Sequence, residues 1–224
     1  MKIPWLTKAH PEWPEPLRRY AEAFRYPSKR ASLESTRFVV FDTETTGLDL
    51  AKNRLLAMAS VGLEKGDIVC GDRFEVWVRQ DTVGAADAVR IHGLVRRDVA
   101  QGLDEDLAVA QFLEHADSAV LVAHHAAFDM AMLKKALAPH RGAKVKNPVV
   151  DTMTLALRLE SGPVRTELSR SRIGLDALAD SCGVGISGRH TAAGDALATA
   201  RVFQVLLRRA RKRGIRTLGQ LLGG

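Results

Sequence analysis

Cysteine is scarce in this chain: only Cys70 and Cys182 occur among its 224 residues. They match no zinc or redox spacing, which makes a reducing, cytoplasmic setting the expectation. Aromatic residues make up only 5% of the chain, too few for extensive base-stacking platforms. No apolar run approaches the ~18 residues that span a bilayer, so no membrane partner is expected. The opening MKIPWLTKAHPEWPEP has no apolar core of a secretion signal. Acidic residues are missing altogether after Asp195.

The composition that remains is that of an ordinary globular protein, 46% apolar and 26% charged. Its length suits one domain of ~150–200 residues with extensions. The net charge of +7 is unevenly distributed. Residues 1–37 carry +4, residues 38–195 carry −4 and the last 29 residues carry +7. Five of the eight prolines fall in the first 37 residues, where a lost N–H and a restricted preceding residue leave room for one short helix near 17–24. The expected organisation is a Pro-rich basic extension (1–36), a body (37–210) and a basic tail (211–224). Trp5 and Trp13 should draw the extension onto the body or a partner.

The body alternates in type. Strand-like runs occur at 38–41, 55–63, 73–79, 119–123 and 149–150, with helical spacing near 104–115, 128–137, 152–159, 175–182 and 192–211. Three strands followed by alternating helix and strand predict an α/β layer fold with a mixed sheet.

Within this pattern, Phe38-Val39-Val40-Phe41-Asp42-Thr43-Glu44 puts two carboxylates on one face of a strand end. Adjacent carboxylates repel unless a cation lies between them. A divalent ion with oxygen ligands, Mg²⁺ or Mn²⁺, answers that requirement; the alternative is a solvated strand end. Asp129 follows a second apolar strand and falls in the first turn of a helix beside Phe128 and Met132. It needs a cation or strong donors there, unless it only complements the helix dipole. Asp195 is in phase with Ala198, Thr199 and Val202 on a long helix, and His190 precedes that helix in a loop with Gly188 and Arg189. Together Asp42, Glu44, Asp129 and Asp195 supply enough charge for two metal ions and an in-line phosphoryl displacement. His190 suits the role of general base near neutral pH.

Three strings carry a family resemblance: Asp42-Thr43-Glu44-Thr45-Thr46-Gly47-Leu48, His124-His125-Ala126-Ala127-Phe128-Asp129 and His190-Thr191-Ala192-Ala193-Gly194-Asp195. In that order they resemble the DnaQ-like, DEDDh branch of the 3′–5′ exonucleases, which includes bacterial proofreading subunits and ribonuclease T. Softer matches are Ile91-His92-Gly93-Leu94, Asp151-Thr152 and Leu175-Asp176-Ala177-Leu178-Ala179. The resemblance implies a ribonuclease H-like fold with a five-stranded mixed sheet flanked by helices. It implies metal binding by Asp42, Glu44, Asp129 and Asp195, with His190 as base. It also places Thr45, Gly47, Leu48, Phe128 and His92 along the terminal nucleotide. For His92 the alternative is a ring that caps a turn, and Asp151 is expected to hold loops rather than metal. His125 stands where the family usually has Asn, which bears on substrate preference or pH dependence and removes no metal ligand.

The activity implied is two-metal hydrolysis releasing nucleoside 5′-monophosphates from a 3′ end. DNA is the favoured substrate and RNA the alternative, with a polymerase or repair enzyme as an expected partner. A haloacid dehalogenase-type phosphatase shares a strand-end acid pair but leaves His190 and Asp195 unexplained. A non-catalytic nucleic-acid or polymerase-binding module is the other rival. The run Arg208-Arg209-Ala210-Arg211-Lys212-Arg213 either complements its helix dipole or grips phosphates. Arg141, Lys144, Lys146, Arg165, Arg170 and Arg172 in nearby loops favour the second.

Overall fold

The computed structural model describes residues 10–160 and 174–223. Trp5, Arg165, Arg170 and Arg172 lie outside the described residues.

One five-stranded sheet organises the chain, in the order β3-β2-β1-β4-β5. Strand β1 is Phe38–Thr45, β2 Leu55–Glu64, β3 Asp67–Trp77, β4 Val120–Ala123 and β5 Val149–Asp151. β1, β2 and β3 pair antiparallel, whereas β1 with β4 and β4 with β5 pair parallel. This is the mixed sheet expected. β1 reads as a continuous apolar run because both of its faces are covered. Val39 and Phe41 enter one core with α1 (Glu15–Ala23), α4 (Glu105–Ala116) and α5 (Ala126–Ala136). Phe38 and Val40 enter the opposite core with α6 (Thr152–Glu160), α7 (Leu175–Cys182) and α8 (Ala192–Lys212).

β3 starts earlier than the apolar pattern suggests. Its first residues, Asp67 to Asp72, are exposed or half-buried, as befits a sheet edge. The link from β2 is a two-residue turn, Lys65-Gly66, with φ of 55° and 87°, the conformation that matches strand twist. The short helices α2 (Ala86–His92), α3 (Arg96–Val99) and α9 (Leu218–Leu221) are too brief for periodicity to reveal.

The described part of the extension packs back on the body. Trp13, Leu17 and Tyr20 are buried against the α4 side of the sheet. The Tyr20 hydroxyl donates to Asn147 Oδ1 at 2.7 Å and accepts the Lys146 N–H at 2.7 Å, and burial raises its pKa. Residues past 210, set apart by charge, carry Leu218 and Leu221 into the core beneath α8. Leu218 and Gly219 bond to the carbonyls of Ala31 and Lys29, joining the segment after α8 to the one before β1.

Candidate active site

Alternation along β1 distributes the site residues. Asp42 and Glu44 continue the Phe38–Val40 face, toward α8; Thr43 continues the Val39–Phe41 face, toward α5. The parallel pairing with β4 ends at Val40 and Val122, so β1 runs on past its neighbour. A register shift follows between Glu44 and Thr45, a kink of the kind that redirects side chains at strand ends.

From α8, Asp195 meets the first pair: one carboxylate oxygen each from Asp42, Glu44 and Asp195 lie within 4.8 Å of one another. Asp195 is buried, as its phase on the helix predicts. From α5, Asp129 is 5% exposed and accepts a hydrogen bond from Thr43 Oγ1 at 2.6 Å. The strong donor that a buried acid demands is therefore present. Asp151 lies near Asp129, raising its pKa, while its Oδ1 accepts the Met153 N–H at 2.8 Å at the start of α6.

Electrostatically the cluster is overloaded with negative charge. Burial, and then repulsion from Asp129, Asp195 and Glu44, hold Asp42 well above the usual carboxylate range, with Arg189 opposing. Burial and Asp195 push Glu44 up to about 7, again against Arg189. Burial raises Asp129 to about 7 although the Thr43 hydrogen bond works the other way. Hard oxygen donors gathered at this density, with Asp42, Glu44 and Asp129 disfavoured as anions, match a divalent cation site.

A groove of about 1110 Å³ opens from the cluster. Asp42, Glu44 and Asp129 line it, together with Thr45, Gly47, Leu48, Lys52, Asp87, His92, His125 and Phe128 among others. Leu48 is 85% exposed, an apolar side chain held at the surface of the groove. Thr45 is buried and spends its hydroxyl on the Gly47 carbonyl at 2.8 Å. The opposite wall approaches so closely that a Cβ on Gly84, at φ 94°, would lie 2.2 Å from the Thr46 carbonyl oxygen. His92 lines the groove with both ring nitrogens engaged by backbone: Nδ1 accepts the Leu94 N–H at 3.0 Å and Nε2 faces the Val83 carbonyl at 3.2 Å. That arrangement places the proton on Nε2.

His190 is exposed on the loop before α8 and is not among the groove-lining residues. Its left-handed backbone, φ 61°, directs its N–H to Asp195 Oδ1 at 3.3 Å. His125 caps α5 in the same region of backbone space, φ 60° and ψ 41°. Asn and His are among the few non-glycine residues that adopt this conformation readily. Its ring meets that of His124 edge to face at 4.9 Å.

Two residues of the site escaped the sequence pattern: Thr43, and Arg189, whose guanidinium bonds both Asp176 and Asp195. A buried Asp129 called for a donor, and the odd positions of β1 were the place to look; nothing in the sequence marked Arg189 as inward-facing.

A mixed sheet with helices on both faces, and acids converging at the ends of β1 and at α5 and α8, define an α/β fold of the ribonuclease H-like kind. A family model described as an exonuclease, RNase_T, matches residues 39–203, and the chain belongs to that exonuclease family. It is 34% identical over 193 residues to a DNA polymerase III subunit epsilon-like protein of Rhodobacter capsulatus, covering 85% of this chain and 26% of the relative. It is 33% identical over 191 residues to a PolC-type DNA polymerase III of Caldanaerobacter subterraneus, covering 85% of this chain and 13% of that one. The chain thus spans 26% of the first of these relatives and 13% of the second. Among solved structures, E. coli exonuclease I in complex with a dT13 oligonucleotide aligns with a TM-score of 0.64 at 16% identity, over 80% of this chain and 43% of that one. Exonuclease X in complex with 5′ overhanging duplex DNA aligns with a TM-score of 0.61 at 23% identity, over 83% of this chain and 99% of that one. These likenesses carry the fold. Among the described residues no helix is long and apolar enough to cross a membrane.

Proposed function

We propose that this exonuclease domain hydrolyses phosphodiester bonds from the 3′ end of a nucleic acid strand, DNA by preference, and releases nucleoside 5′-monophosphates. The single observation that carries the reading is the convergence of Asp42, Glu44 and Asp195 oxygens within 4.8 Å at the head of a groove. Asp42, Glu44, Asp129 and Asp195 would hold two divalent ions, Mg²⁺ or Mn²⁺. Bound there, the ions would offset the carboxylate charge and stabilise negative charge on the phosphate as its bond breaks.

His190, beside Asp195, takes the proton from water as water attacks phosphorus. The bond to the 3′ oxygen of the penultimate nucleotide breaks, that oxygen acquires a proton from solvent, and a shortened strand with a new 3′-hydroxyl remains. Leu48, Phe128, Thr45, Gly47 and His92, all lining the groove, would seat the terminal nucleotide. Beyond the acid cluster the charged side chains lining the groove are Lys52 and Asp87, which suits a strand end bound by shape rather than by sequence.

The basic end of α8 lies 13 to 18 residues beyond Asp195, about 20–27 Å along the helix at ~1.5 Å per residue. It would therefore meet a strand several nucleotides from the cleaved bond. Some of its charge already has local work: Arg209 donates to the Ser181 carbonyl at 2.9 Å, and Arg211 lies 4.0 Å from Glu34. The DNA preference and a polymerase or repair partner draw on the relatives' polymerase III names and on the DNA-bound exonuclease structures.

The test is incubation of 5′-labelled single-stranded DNA and RNA with Mg²⁺ or Mn²⁺. A ladder shortening from the 3′ end, faster on DNA, supports the reading. A faster ladder on RNA would reassign the substrate, and no degradation under either ion would favour a non-catalytic binding module.

A further inference from the structure

Arg189 brings a cation into direct contact with the carboxylate cluster and, on its other side, with Asp176. Its Nη1 donates to Asp195 Oδ2, while Nε and Nη2 form a fork onto Asp176 Oδ1 and Oδ2 at 2.6 and 3.2 Å. The Arg189 side chain is 24% exposed, whereas the Asp176 side chain on α7 is 68% exposed and stands outside the cluster. Each carboxylate holds Arg189 in its charged form. Guanidinium stays protonated throughout the working range, so no proton moves with it.

The backbone around Arg189 is fixed. Thr191 Oγ1 donates to the Gly188 carbonyl at 2.8 Å and accepts the Gly194 N–H at 3.1 Å. A Cβ on Gly194 would fall 1.8 Å from the Gly188 oxygen, so loop and helix are in backbone contact. Arg189 can therefore redistribute its guanidinium only by side-chain rotation, between two anions that are already in place.

We propose that Arg189 is a resident counter-cation that competes with divalent metal for Asp195, and that Asp176 sets the strength of that competition by drawing the guanidinium away. Arg189 is thus a positioning residue. It keeps Asp195 from being left as an unpaired buried anion before metal arrives, and it yields Asp195 to the metal because Asp176 retains the fork. The inference rests on the metal-dependent reading of the cluster.

The two partners therefore have opposite signs. Removing the competitor frees Asp195, whereas neutralising Asp176 turns the guanidinium fully onto Asp195. Mn²⁺ binding to the full chain without nucleic acid, followed by calorimetry, measures this directly. Arg189→Gln should bind Mn²⁺ roughly three- to tenfold tighter than the wild type, and Asp176→Asn weaker by a similar factor, the scale of one partly exposed charge acting over a few ångströms. Arg189→Lys keeps the charge but loses the fork that holds it to Asp176, and should bind Mn²⁺ more weakly than the wild type, in the direction of Asp176→Asn. A structural role alone would weaken binding in both Arg189→Gln and Asp176→Asn; that result, or no change in the exposed Asp176→Asn, would overturn the inference. Asp42→Asn should abolish Mn²⁺ binding. A wild-type chain that itself takes up no Mn²⁺ would overturn the metal reading, and this inference with it.

Discussion

The hydroxyl of Thr43 donates to the carboxylate of Asp129 at 2.6 Å, joining β1 to α5 beneath the acid cluster. Thr43 points away from Asp42 and Glu44 because it lies on the alternate face of the strand. It thereby supplies the donor that makes a buried, ionised Asp129 tenable. Without it, Asp129 would be held still further above its ordinary range, since this bond is the largest influence lowering its pKa.

Thr43→Val preserves shape and removes that donor. Loss of a hydrogen bond to a buried charged group costs ~1–3 kcal/mol, so kcat/KM should fall roughly 5- to 150-fold. The acid limb of the pH–rate profile should move upward, because Asp129 then ionises at higher pH. Thr43→Ser should restore both. Measurement of kcat/KM across pH 5–9 decides the matter; an unchanged profile in Thr43→Val would show that the bond has no influence on the site.

Glu44 gives a prediction about stability. Its pKa rises from 4.5 to about 7 on folding without metal. Between those values the folded state keeps a proton that the unfolded chain has lost, so stability falls as pH rises through that window. Below it the cost is absent, and above about 7 it is complete. Metal-free Glu44→Gln should therefore gain Tm over the wild type as pH rises from 4.5 to 7 and hold that gain at higher pH. Thermal unfolding at pH 5 and pH 8 in a chelator measures the difference; an equal Tm difference at both would contradict the raised pKa.

Much of this site was legible in the sequence. The pair Asp42 and Glu44 followed from strand alternation, and Asp195 from its phase with Ala198 and Val202 on a long helix. Both patterns depend on local geometry, which spacing reports. Arg189 was not legible, because its role depends on Asp176 of α7 and Asp195 of α8 meeting on either side of one loop. The same limit applies to residues 211–224, where a run of charge hid Leu218 and Leu221, whose burial depends on contact with the start of the chain. β3 was read short because Gly71 and Asp72 interrupt the apolar run Ile68-Val69-Cys70 and leave no alternation for spacing to report.

The N-terminal segment offers a prediction separate from catalysis. Tyr20 is 2% exposed, and its hydroxyl joins Asn147 and the Lys146 backbone. Tyr20→Phe leaves both partners short of a bond and should cost ~1–3 kcal/mol of unfolding free energy, with kcat/KM unchanged. Urea denaturation measures it, and a cost near zero would mean that the segment adds no stability through this contact.

The most direct test of the active-site account is product analysis on single-stranded DNA with Mg²⁺, comparing wild type with Asp195→Asn and His190→Ala. The wild type should release nucleoside 5′-monophosphates one at a time from the 3′ end. Asp195→Asn should release almost none, and His190→Ala should be slower by roughly 10²–10⁴-fold. Internal fragments, nucleoside 3′-monophosphates, or undiminished release by either variant would contradict it.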